Sequence, residues 1–200
     1  MVHRSMLFIL SLLLLALPVR AARCSESGMH RVSVYVGRFS GSGLSTDIAT
    51  LHWRRVDVED SYLIAVTYGE VLGRLTQDLQ LEWELQGAKH FGRQTHVEAN
   101  ALVLARWQRF PWNDSIYTTF AFGEGLSLAS RTPPLEVERH PQTGSQPLLD
   151  YLAIELTAAS SSSSPWTWLM RIHHRSGAWG IFGGVHGASN VLAFGIRYGF

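Results

Sequence analysis

The sequence predicts an all-β fold, an antiparallel barrel of about eight strands. Three observations predict it. Apolar and polar residues alternate with period two along several stretches. An N-terminal apolar run of export type is followed by no second run long enough for a helical span. The connections between strands are short at one end and long at the other. Together these describe a barrel that crosses a bacterial outer membrane with strands.

Bulk composition is compatible with this without announcing it. Hydrophobic residues make up 46% of the 200 and the formal net charge is +1, with a mean hydropathy of +0.04. In a barrel, lipid-facing apolar residues alternate with polar lumen residues, so the mean comes out near neutral. The near-zero charge gives no reason to expect a nucleic acid or another polyanion as partner.

The N-terminus comes first in chain order. His3 and Arg4 precede an apolar run from Leu7 to Leu17, followed by Pro18 and then Val19-Arg20-Ala21. This is the three-part layout of a secretory signal peptide, over 1–21, with the cut expected after Ala21. As a helix the run is too short to cross about 30 Å of hydrocarbon. Cys24 lies near the cut, but Arg23 stands where a lipoprotein signal needs a small residue. Cys24 is the single cysteine, so no internal disulfide is expected. A short segment, 22–30, then leads into a barrel over 31–200.

Strands are expected near 31–38 and 61–70. Leu79, Leu81, Trp83 and Leu85 alternate with Gln80, Glu82, Glu84 and Gln86, one apolar face and one polar. Val97, Ala99, Ala101, Val103, Ala105 and Trp107 form the next apolar face, opposite His96, Glu98, Asn100 and Arg106. Strands near 115–127 and 148–158 follow. Trp166, Trp168, Met170 and Ile172 oppose Thr167, Arg171 and His173, and Leu192, Phe194, Ile196, Tyr198 and Phe200 close the chain. Counting 46–57 would give nine strands. Both ends of the barrel belong on the periplasmic side, which requires an even number, so 39–60 reads as a long first outer loop with a short helix.

A soluble sandwich also alternates. Here the apolar faces are aromatic-rich, while the opposite faces carry charges of both signs, as the filled interior of a narrow barrel requires. Connections at 109–114 and 159–164 are short; those at 128–147 and 177–188 are long. Trp107, Trp112, Trp166, Trp168, Tyr198 and Phe200 all fall at the expected periplasmic ends, as an aromatic girdle. An eight-stranded lumen is just filled by side chains, so no open pore is expected. Arg171 and His173 should point into it, towards Glu82, Glu84, Glu98 or Glu155.

One constellation breaks the pattern. By parity with Trp166, Trp168, Met170 and Ile172, His174 and Ser176 face outward. Polar groups on a lipid face cost free energy and tend to be functional. A hairpin centred near 182 sets Asn190 opposite His174, with the outward parity of Leu192. Serine, histidine and carboxamide then meet at outer-leaflet height, where histidine can act as base to the serine hydroxyl and the third group can fix its tautomer.

These residues carry a resemblance. The outward His174-x-Ser176 near the end of the penultimate strand, then a loop, then a last strand ending in an aromatic residue, resembles the lipid A 3-O-deacylase (PagL-type) family over about 165–200. The resemblance implies an eight-stranded outer-membrane barrel acting on lipid A, the anchor of lipopolysaccharide in the outer leaflet. It makes Ser176 the nucleophile and His174 the base, with no cofactor. The family's glutamate is replaced by Asn190. Its asparagine after the serine is replaced by Gly177, leaving a backbone N–H as oxyanion candidate.

Other readings weigh against these. His174, Arg175 and Ser176 could mark only the polar rim of a non-catalytic barrel, with Arg175 on lipid phosphates. Glu138 and Asp150 are the carboxylates to look for beside His174. His173, His174 and His186 do not make a metal site, because neighbouring residues on a strand point to opposite faces. Gly177, Gly180, Gly183, Gly184 and Gly187 precede no helix and no Lys-Ser/Thr pair, so they read as a loop rather than a phosphate cradle.

Overall fold

The computed structural model describes residues 30–41 and 57–200. The expected signal peptide, Cys24 and most of the first outer loop, with its expected helix, lie outside the described residues. The eight strands are β1 (His30–Ser40), β2 (Val58–Arg74), β3 (Leu79–Gly92), β4 (Val97–Trp107), β5 (Tyr117–Ala129), β6 (Leu148–Ala159), β7 (Trp166–Ser176) and β8 (Ala188–Gly199). Each pairs antiparallel with the next, and β1 pairs β8 from Arg31↔Gly199 to Ser40↔Asn190. The sheet is therefore a closed barrel, which leaves no edge strand with unpaired backbone groups.

The period-two sequence explains which way each residue faces. Along β4, Glu98, Asn100, Leu102, Leu104 and Arg106 are buried, while Val97 and Trp107 are exposed. The usual relation of polarity to burial is inverted. Val34, Val36, Ile64, Val66, Leu85, Phe120, Phe122, Leu126, Met170, Phe194 and Ile196 are all exposed, and many of the buried residues are charged. A continuous apolar exterior of this extent has lipid, not water, as its solvent.

The lumen holds ion pairs. Glu155, fully buried, accepts from Arg106 at 2.8 Å, Arg171 at 2.5 Å and Arg197 at 2.8 Å. Arg171 also reaches Glu84 at 2.6 Å, and Arg106 reaches Glu82 at 2.7 Å. Each buried charge therefore has a partner, without which burial would be prohibitive. Tyr35, Leu63, Tyr151 and Leu169 fill space around them. Of the predicted lumen partners, Glu84 and Glu155 meet Arg171 and Glu98 meets His173 at 2.9 Å, while Glu82 pairs with Arg106 and Arg31 instead.

The girdle residues Trp107, Trp112, Trp166, Trp168, Tyr198 and Phe200 are exposed at the end where β4 and β8 finish and β7 begins. Turns at 75–78, 108–116 and 160–165 join strands on that side. On the other side the loops 130–147 and 177–187 are long, but β3 and β4 are joined by 93–96 alone. That short outer turn departs from the sequence expectation. Gly92 makes it feasible with φ +93, where a Cβ would collide with the Asp60 carbonyl.

The 130–147 loop carries a short helix, α1 (Pro134–Arg139), across the outer mouth. Leu135 is buried. Glu136 Oε1 accepts from Arg175 Nη1 at 2.8 Å and Ser189 Oγ at 2.7 Å. Arg139 donates to the Gly41 carbonyl at 3.0 Å and pairs with Glu59.

Candidate functional site

The β7–β8 register sets His174 opposite Asn190, as the hairpin centred near 182 predicts. The β6–β7 register sets Asp150 opposite Ser176. All four side chains lie on the outward parity of their strands, at the outer ends. His174 Nδ1 is 2.6 Å from Asn190 Oδ1. An amide oxygen only accepts, so Nδ1 carries the proton and donates. Nε2 is then left with a lone pair, the form of imidazole that can act as a base.

His174 is not bare to lipid, as its parity alone suggests. It is 8% exposed, and Asn190 is 3% exposed. Ser176 is half-buried. Its Oγ donates to Asp150 Oδ2 at 3.5 Å rather than to His174, and accepts from the Ala178 N–H at 3.3 Å. His174 and Ser176 are two residues apart on one face, so their Cα atoms are about 6.6 Å apart. Of the two carboxylates looked for, Asp150 is at the site. Glu138 is exposed and held by Arg93 at 2.9 Å.

Sequence reasoning missed Glu124. It sits between Phe122 and Leu126 on the outward face of β5, and Leu126 is the residue opposite Asp150. Glu124 is thus Asp150's diagonal neighbour, within reach of a long side chain, and the two carboxyls are close enough to share a hydrogen bond. The signal was present in the sequence: a carboxylate inside an otherwise apolar run, Phe120, Phe122, Leu126, Leu128.

Gly177 follows the serine, and a Cβ there would collide with the Val185 carbonyl. Only glycine lets the 177–187 loop fold back this tightly. The Gly177 N–H donates to the Gly187 carbonyl at 3.1 Å, so it is engaged and must be released before it can serve an oxyanion. The next two residues, Ala178 and Trp179, have φ of 45° and 55°, a left-handed backbone that costs a side-chain-bearing residue about 1–2 kcal/mol. Such strain gathers at functional loops. Trp179 and Ile181 are exposed on the same loop, where apolar groups can meet the outer membrane interface.

No family model matches the chain, and no curated protein sequence matches it. Among solved structures, the chain is similar to the outer membrane enzyme PagL, with 13% identity and a TM-score of 0.57 over 84% of this chain and 99% of that one. It is also similar to Neisserial surface protein A (NspA), with 10% identity and a TM-score of 0.49 over 86% of this chain and 96% of that one. Ail, the attachment invasion locus protein of Yersinia pestis, matches with 10% identity and a TM-score of 0.34 over 86% of this chain and 100% of that one. At these identities the likeness to PagL is one of fold. With the closed ladder, the apolar exterior and the charged lumen, it makes this chain an eight-stranded antiparallel β-barrel of the bacterial outer membrane.

Proposed function

We propose that this barrel is a serine esterase of lipid A deacylase type, cleaving an acyl ester of a lipid in the outer leaflet after export and removal of residues 1–21. The observation that carries the reading is the bond from His174 Nδ1 to Asn190 Oδ1, 2.6 Å long, on the outward face that also holds Ser176. A histidine set in its basic tautomer beside a hydroxyl, facing the membrane, is the machinery an ester hydrolase needs. The His174-x-Ser176 resemblance to the lipid A 3-O-deacylase family supports the same chemistry and lipopolysaccharide as the substrate.

In this reading Ser176 Oγ leaves Asp150 and gives its proton to His174 Nε2 while forming a bond to the ester carbonyl carbon. Collapse of the tetrahedral adduct expels the lipid alcohol, which takes the proton from His174. Water then repeats the sequence on the acyl-serine and releases the fatty acid. Asn190 keeps the ring oriented through both steps. The Gly177 N–H, once released from Gly187, is the oxyanion donor.

The test is mass spectrometry of lipid A from cells expressing the wild type and Ser176→Ala, both verified as folded in the outer membrane. Loss of one acyl chain with the wild type alone is the expected result. Identical spectra would sink the enzymatic reading. They would favour a non-catalytic barrel with a structural or lipid-binding role, a reading to which the Ser176–Asp150 bond and the engaged Gly177 N–H lend support.

A further inference from the structure

A second cluster of chemically capable side chains lies inside the barrel, beneath the short 93–96 turn and on the opposite side of the wall from Ser176. His90 at the end of β3, His96 just before β4 and Glu98 on β4 point into the lumen, each 3% exposed or less. The turn brings them together through the bond from the His90 N–H to the His96 carbonyl, 2.9 Å long. The two imidazoles stack, with centroids 4.1 Å apart and an interplanar angle of 12°. Both Nε2 atoms lie 3.0 Å from Glu98 Oε1. The three ligand atoms are all within 4.8 Å of one another.

Hydrogen bonding alone accounts poorly for this packing. His96 Nε2 bonds to Glu98 Oε1, but His90 Nε2, equally near that oxygen, is out of line and has no hydrogen-bond partner. His96 Nδ1 and both amide atoms of Asn100, the next inward residue on β4, also lack partners. Buried nitrogens left unpaired cost free energy, and the stacked rings bring two Nε2 atoms to one oxygen that hydrogen-bonds only one of them.

We propose that His90, His96 and Glu98 bind a divalent transition-metal ion of the zinc class. In the tetrahedral shell such ions favour, ligand atoms about 2.1 Å from the ion are about 3.4 Å from each other, so the 3.0 Å between each Nε2 and Oε1 needs an opening of only a few tenths of an ångström. Two imidazoles and a carboxylate are a recurrent set for these ions, with room for a further ligand. The surroundings fit as well. Gln86 Nε2 donates to His173 Nδ1 at 3.1 Å, so His173 donates through Nε2 to Glu98 Oε2 at 2.9 Å. His173 thereby steadies the carboxylate while leaving Oε1 for the ion, as outer-shell partners of metal ligands do. Arg175 Nε lies 3.8 Å from Glu98 Oε1, but its charge is met by Glu136 at 2.8 Å.

The experiment uses the untagged full chain, folded in detergent and stripped with chelator. Co²⁺ is titrated in while its visible absorption is followed, and Zn²⁺ is then used to compete. One equivalent of Co²⁺ should bind, and Zn²⁺ should displace it. His90→Asn or His96→Asn should weaken binding at least about 100-fold, while His140→Asn and His186→Asn should leave it unchanged. Folding of each variant is checked by the shift of its gel band on heating. X-ray absorption of the zinc-loaded wild type supplies a readout free of mutation, with two imidazoles and one carboxylate expected. Absence of saturable binding, binding that survives in the folded His90→Asn/His96→Asn double variant, or a zinc shell without imidazole would each overturn the proposal.

Discussion

His174 and Asn190 face each other across the β7–β8 ladder and share a 2.6 Å bond from Nδ1 to Oδ1. Residues directly opposite in an antiparallel pair have Cβ atoms about 5 Å apart, so the register alone delivers a side-chain bond without help from any loop. The carboxamide orients the ring as a carboxylate would, but it places no negative charge beneath an imidazolium.

Asn190→Asp should therefore raise the rate of ester cleavage, about tenfold, because the imidazolium formed during attack gains a counter-charge. Asn190→Leu should lower kcat by on the order of 100-fold, the lower range for losing positioned acid–base catalysis. Initial rates on a lipid ester in mixed micelles measure both. A wild-type rate in Asn190→Leu would show that the bond plays no part in turnover.

Glu155→Gln should destabilise the barrel by about 3–5 kcal/mol. Glu155 is the common acceptor of Arg106, Arg171 and Arg197. A glutamine keeps the shape but leaves three buried guanidiniums short of one negative charge. Urea unfolding of the protein in lipid vesicles, followed by tryptophan fluorescence, should show the midpoint fall. An unchanged midpoint would mean that lumen water compensates for the lost charge.

Gly177→Ala should separate folding from activity. A Cβ there meets the Val185 carbonyl, so the 177–187 loop must shift, while the ladder from Trp166↔Tyr198 to Ser176↔Ala188 does not depend on it. Heating should release a gel-shifted band as in the wild type, and stability should fall by no more than about 3 kcal/mol, the usual range for a point change. Ester cleavage should drop at least tenfold, because the loop reorients the N–H next to Ser176. Retained activity would remove Gly177 from the site.

The barrel was legible because β3, β4, β7 and β8 keep strict alternation where they cross lipid, and parity then dictates that Arg171 and His173 go in while His174 and Ser176 go out. The ends were less legible. β2 begins at Val58, three residues before its expected start, because Glu59 and Asp60 lie where strands rise out of the membrane and the apolar half of the pattern stops. The lumen cluster was missed for another reason. His90 is on β3 and His96 closes the 93–96 turn before β4, and only the tightness of that turn makes them neighbours, a length that no periodicity encodes. Glu124 and Asp150 share a site through a diagonal contact between β5 and β6, which required the observed register.

Asp150 has two possible parts at the site, and one substitution tells them apart. Its Oδ2 accepts the Ser176 hydroxyl at 3.5 Å, a long bond made in place of one to His174. If His174 is the base, this contact only parks the serine before substrate arrives. Asp150→Asn keeps the shape and an acceptor oxygen, so kcat/KM should change less than tenfold. A carboxylate that itself takes the serine proton would be indispensable instead, because an amide cannot accept that proton, and the loss should match that of Ser176→Ala. His174→Gln supplies the complement. With His174 as base it should lower kcat by about 10²–10⁴-fold, whereas with Asp150 as base it should cost little. Measuring the two variants side by side on one lipid ester assigns the proton to one residue, since the two readings predict opposite orders of activity.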